Sequence, residues 1–91
     1  KAIEANIDQG AQYYQNCSGC HGKQGEGKDF SDAPRIAGQY GWYIKRQLEY
    51  FKQGVRGAHP KDQYGQQMVM MAKVLKNEQA IVDLVAFLET L

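Results

Sequence analysis

Two cysteines and a histidine fall within one pentapeptide, Cys17-Ser18-Gly19-Cys20-His21. Thiols separated by two residues can form thioethers to the two vinyl groups on one edge of a haem, and the adjoining imidazole is then held under the iron as an axial ligand. The pentapeptide therefore points to one haem c, bound covalently through Cys17 and Cys20 and ligated by His21. Two other chemistries use the same residue types. A dithiol redox pair belongs in a βαβ setting, with its first cysteine at a helix N-terminus. A structural zinc site needs four well-placed ligands, and outside the pentapeptide the strong candidate is His59 alone. Both cysteines lie in this one motif, which is not how a disulfide framework is spread along a small domain.

A second axial ligand must come from far along the chain, and Met68, Met70 and Met71 are the candidates. A thioether is a soft, neutral donor, and a His/Met pair raises the reduction potential while closing the sixth position to oxygen chemistry. Methionine is also a good filler of small cores, so at least one of the three has only that role. His59 is the alternative ligand and would give a bis-histidine iron of lower potential. The haem carboxylates call for donors on an otherwise apolar wall, and Arg35, Gln39, Trp42, Tyr43 and Arg46 are candidates.

The elements that must position these groups are helical. Ile3, Ile7, Ala11 and Tyr14 recur at the spacing of one helix face and predict a first helix from Ile3 to Cys17 that runs into the motif. Gly10 lies inside it, where glycine costs about 1 kcal/mol relative to alanine, so a close backbone contact is expected there. The stretch 22–38 is rich in glycine and turn formers and reads as a loop, long enough to be wrapped on something. Ile44, Leu48 and Phe51 predict a middle helix over Trp42 to Phe51, ended by Gly54. Residues 54–67 are polar, contain Gly57, Pro60 and Gly65, and read as a second long connection. From Asn77, a candidate N-cap, to Leu91, the residues Ile81, Leu84, Val85 and Leu88 share a face, with Asp83 expected outward. No segment alternates apolar and polar residues, and no internal repeat is evident, so the fold class is all-α.

A chain of 91 residues has room for one domain, 1–91, whose own core is small, and a large apolar cofactor would reinforce it. Lys+Arg 11 against Asp+Glu 10 leaves a net charge of +1, with no basic stripe for nucleic acid. The apolar runs are too short to cross a bilayer, and the sequence opens without a charged and apolar leader, so any secretory signal is expected to be already removed. A soluble chain is expected.

On these residues the chain resembles the class I c-type cytochromes, and is most similar to cytochrome c4 domains and to related c5/c553-type monohaem cytochromes. The resemblance is carried by Cys17 to Gly22, Pro34 to Gln39, Tyr43 to Leu48, Phe51 to Arg56 and Met68 to Ala72. It implies a small fold of roughly three to five helices wrapped around one haem. It implies that Met71 is the axial ligand, preceding a small residue, with Leu75 a few positions on. It implies that the Pro34 carbonyl accepts a hydrogen bond from the proximal imidazole. It also implies that the first and last helices pack together near Gly10, Phe87 and either Tyr13 or Tyr14. The expected function is single-electron transfer in a bacterial periplasmic redox chain, as a carrier and not an enzyme. Partners would be a membrane oxidase, reductase or dehydrogenase, and pairing of domains in cytochrome c4 suggests a homodimer by analogy. The alternatives are a subunit or domain relaying electrons inside a larger dehydrogenase or oxidase, and a gas-binding or peroxidatic haem protein with an open sixth position.

Overall fold

Short polar side chains decide where three of the helices begin. Asn6, Asp62 and Asn77 each accept a hydrogen bond from the N–H three residues on, at Gln9, Gly65 and Ala80. Each cap satisfies a donor that the first helical turn leaves without an intrahelical partner. In the computed structural model, which describes residues 3–27 and 35–91, these caps open α1 (Ile7–His21), α3 (Gln63–Ala72) and α4 (Glu78–Leu88). The remaining helix, α2 (Gly41–Gln53), ends where Gly54 takes a left-handed φ of 76° and donates its N–H to the carbonyls of Phe51 and Tyr50. The described residues form helices and no strand, so the fold is the small all-α one.

Several boundaries and faces differ from the pattern in the sequence. The first helix starts at Ile7 because Asn6 caps it, and it continues through the whole motif to His21. Ile3 and Ile7 are exposed, and the buried face of α1 is carried by Gly10 and Tyr14. The polar connection after α2 is shorter than its composition suggests, since the Asp62 cap turns residues 63–67 into the first turns of α3. All three methionines therefore lie on one helix. Asp83 does not face outward: it is 3% exposed, and its Oδ1 accepts from the Asn6 N–H at 2.8 Å and from Gln79 Nε2 at 2.7 Å. Ala80, Ile81, Leu84, Val85 and Leu88 are buried as well, so α4 is enclosed around most of its circumference and a residue at 83 has no wet side to occupy.

α1 packs chiefly on α4, and α2 contacts both α3 and α4. The α1 and α4 backbones meet at Gly10, where an added Cβ would lie 2.0 Å from the Asp83 carbonyl oxygen and 2.9 Å from Phe87 Cβ. One turn along α1, the ring of Tyr14 packs on Phe87 with centroids 5.5 Å apart, so Tyr14 makes the contact that lay open between Tyr13 and Tyr14. The Tyr14 hydroxyl donates to the Gly22 carbonyl, holding the turn that follows the motif against α1.

Gly10→Ala is expected to lower the unfolding free energy of the haem-loaded protein by about 2 kcal/mol, in spite of alanine's helix propensity, because main chain cannot yield as a flexible side chain would. A denaturant titration reads this. Burial lifts the Tyr14 hydroxyl above its ordinary pKa of 10.0. The neutral ring is the form the fold favours, so its contribution is complete below pH 10.0 and is lost as pH rises through the raised value. Tyr14→Phe is expected to cost about 1 kcal/mol near neutrality and to flatten the alkaline fall in stability, measured by unfolding at a series of pH values.

Candidate haem site

Cys17, Cys20 and His21 occupy the last turns of α1, and their spacing of three and four residues puts them on one helix face. Gly22 then ends the helix with φ 90°, a conformation that suits glycine alone, and donates its N–H to the Ser18 carbonyl. The chain doubles back at once: Gly27 N–H donates to the His21 carbonyl at 2.7 Å. The Gly25 carbonyl accepts from the N–H groups of Ile36 at 2.8 Å and Ala37 at 3.0 Å. These bonds bring Arg35 and Ile36 beside the motif.

A cavity of about 240 Å³ opens between these segments. α1 supplies Cys17 and His21; the segment before α2 supplies Arg35, Ile36 and Gln39; α2 supplies Tyr43, Ile44, Gln47 and Leu48. Arg56, Met68 of α3, and Leu84 and Leu88 of α4 complete the lining. Its floor is apolar, and its polar members include two arginines and no carboxylate. A haem is an apolar plate with two anionic carboxylates, and it needs a dry slot, cations and an imidazole. The lining supplies all three.

Of the residues singled out in the sequence, Cys17, His21, Arg35, Gln39 and Tyr43 come together at this cavity. Cys20 is exposed on the same helix face. Trp42 and Arg46 lie outside the cavity wall; Trp42 is 61% exposed, and the Arg46 guanidinium sits over its ring at 5.5 Å from the centroid. Met68 lines the cavity, Met71 is 38% exposed and Met70 is 71% exposed. Pro34 and the loop residues 28–34 lie outside the described residues.

Gln47 and Arg56 line the cavity although the sequence pattern did not single them out. Gly54 reverses the chain so that the Val55 and Arg56 N–H groups both bond to the Tyr50 carbonyl. Arg56 is thereby folded back over α2, where it donates to Gln47 Oε1 and covers the Phe51 ring at 4.8 Å from its centroid. The legible signal was a glycine cap followed two residues later by a cation.

The surroundings of the cysteines argue against dithiol redox chemistry. A reactive cysteine needs a depressed pKa, obtained at a helix N-terminus or beside a cation. Here the motif ends a helix, and burial, with a smaller contribution from Cys20, pushes the Cys17 thiol up to about 11. Zinc fares no better, since among the described residues no three of His, Cys, Asp and Glu gather to hold a metal ion. His59 lies in the turn before α3, where its Nδ1 accepts from the Lys61 N–H at 3.1 Å.

Comparison with known proteins gives the same reading. The stretch is 42% identical over 40 residues to "Cytochrome c4" of Azotobacter vinelandii and 40% identical over 40 residues to "Cytochrome c4" of Stutzerimonas stutzeri. Each match takes in 44% of this chain and 19% of the relative, so the chain spans less than half the length of these relatives. A family model, "Cytochrome c", matches residues 7–91. With a Cys-X-X-Cys-His motif at the end of its first helix, an apolar cavity against it and that match over nearly the whole chain, the protein belongs to the cytochrome c family, as a class I member with a covalently bound haem c.

Proposed function

We propose that residues 1–91 form one domain that carries single electrons on one haem c, joined by thioethers to Cys17 and Cys20, with His21 and Met71 as the axial ligands of the iron. The observation that carries this reading is the cavity itself, where Cys17 and His21 face an apolar floor bordered by two arginines and no carboxylate. When bound, the haem supplies a one-electron ferric/ferrous couple. The chain's own residues do the rest. Ile36, Ile44, Leu48, Leu84 and Leu88 exclude water, and Arg35, Gln39, Tyr43 and Arg56 offer donors to anionic carboxylates. Holding the same two ligands in both oxidation states keeps rearrangement small. The protein's contribution is therefore that of a carrier and not of a catalyst.

Met68 and Met71 are three residues apart on α3 and so lie on neighbouring turns of one face, while Met70 is turned away. Ala72 and Leu75 are buried directly beyond them and anchor that register, which supports Met71. Met68 is the second reading, favoured by its place in the cavity wall. Ferric Met71→Ala is expected to lose the sulfur-to-iron charge-transfer band while Met68→Ala keeps it. The reverse outcome assigns the ligand to Met68.

Redox partners would meet an aromatic surface beside the cavity. Tyr43 lines the cavity, Trp42 stands edge-on to it with centroids 6.1 Å apart, and Tyr40 stacks on Trp42 at 6.2 Å. With a net charge of only +1, apolar contact outweighs long-range steering in this encounter. Thioether attachment of haem takes place on the outer side of the bacterial inner membrane, which supports a periplasmic chain as the setting. Among the described residues no helix is long and apolar enough to cross a membrane. The alternative is an internal relay of a larger dehydrogenase or oxidase. Sedimentation of the native extract separates the two, since a free carrier runs alone and a relay runs with its catalytic subunit.

Removing a cation from the cavity leaves a haem carboxylate less compensated and favours the ferric state. Arg56→Gln is expected to lower the midpoint potential by on the order of 40 mV, the equivalent of about 1 kcal/mol for one electron. A redox titration followed optically measures it.

A further inference from the structure

The helix that carries the methionines is clasped at its far end by a lysine from the helix on which it packs. Lys52 lies in the last turn of α2, half-buried, and its Nζ donates to the main-chain carbonyl of Leu75. Leu75 closes the turn after α3. Lys73 N–H donates to the Val69 carbonyl at 3.1 Å, Val74 N–H to Met71 at 3.2 Å and Leu75 N–H to Ala72 at 3.1 Å. The carbonyl that Lys52 holds is therefore tied, bond by bond, to the turn bearing Met71 and Ala72. Its ammonium also stands near the carbonyl end of α3, where a cation is favoured and where α3 has no basic residue in its own last turn. The Ala72 and Leu75 side chains are buried beneath this clasp, so movement of the turn would unpack them.

We propose that Lys52 is a positioning residue, which fixes the end of α3 against the α2 wall of the cavity and so sets how firmly an α3 methionine stays on the iron. The proposal rests on methionine ligation as read above, but not on whether Met68 or Met71 is the ligand. Lys52→Met keeps the apolar stem and removes the charged donor, leaving the Leu75 carbonyl without it.

The test is an imidazole titration of the ferric, haem-loaded protein, since imidazole binds only as the methionine leaves. Amide exchange of α3 and urea unfolding are followed in parallel. Lys52→Met is expected to bind imidazole about tenfold more tightly than the wild type, the scale of a lost charge-assisted hydrogen bond, and to exchange its α3 amides faster. Lys52→Arg, which restores a donor, is expected to stay close to the wild type. Asn77→Ala, which removes the α4 cap, is expected to lower global stability without changing imidazole affinity. Unchanged imidazole affinity in Lys52→Met overturns the proposal, as does an equal gain in Asn77→Ala, which would trace the effect to general destabilisation. The charge-transfer band of the wild type separates the two levels of failure. Its absence overturns methionine ligation and the clasp together, whereas its presence with an unresponsive Lys52→Met overturns the clasp alone.

Discussion

Gly10 lies against the main chain of Asp83, and the rest of the site depends on how closely α1 and α4 approach there. No side chain fits between them, since a Cβ on residue 10 would fall 2.0 Å from the Asp83 carbonyl oxygen. α1 carries Cys17 and His21 at its end, and α4 supplies Leu84 and Leu88 to the floor of the cavity. The crossing therefore sets the distance between the attachment motif and the surface on which a haem ring would rest. The Asp83 carboxylate reinforces it from the other side by accepting the Asn6 N–H, which ties the start of α1 to the middle of α4. One residue thus serves the crossing twice, by its carbonyl and by its side chain.

Around that fixed pair the remaining elements are held by local hydrogen bonds. The turn at Gly22 to Gly27 is held by Tyr14 and by the His21 carbonyl, and it in turn holds Ile36 and Ala37. α2 rests on α4 and carries α3, and Lys52 reaches from α2 to the end of α3. A small chain that buries little surface of its own gains from filling the resulting cavity with a large apolar group linked to the backbone. The same enclosure that adds stability would keep water from a haem held there, so packing and the proposed function have one cause.

How much of this was legible in the sequence depended on how local each signal is. The pentapeptide carries its chemistry in five consecutive residues, and Asn77 and Gly54 act within one turn, so these could be read directly. Gly10 was legible as an anomaly, because a glycine inside a helical pattern needs a reason. The exposure of Ile7 was not legible, since periodicity shows that residues share a face but not whether another helix covers it. Asp83 was misleading for a related reason: its burial depends on a backbone N–H 77 positions away. The start of α3 was obscured by Gly65 and Pro60, whose turn-forming character was outweighed by the Asp62 cap. Arg56 reaches the cavity only through the reversal at Gly54, and Lys52 meets Leu75 across two helices, so neither role is written in spacing.

The central claim is that this chain holds one haem through two thioethers at Cys17 and Cys20. Mass spectrometry of the purified protein after extraction with acidified organic solvent tests it most directly. A mass exceeding that of the polypeptide by one haem, retained after extraction and placed by fragmentation on both cysteines, is the predicted result. A chain that returns to its bare mass on extraction, or carries haem on neither cysteine, would contradict it.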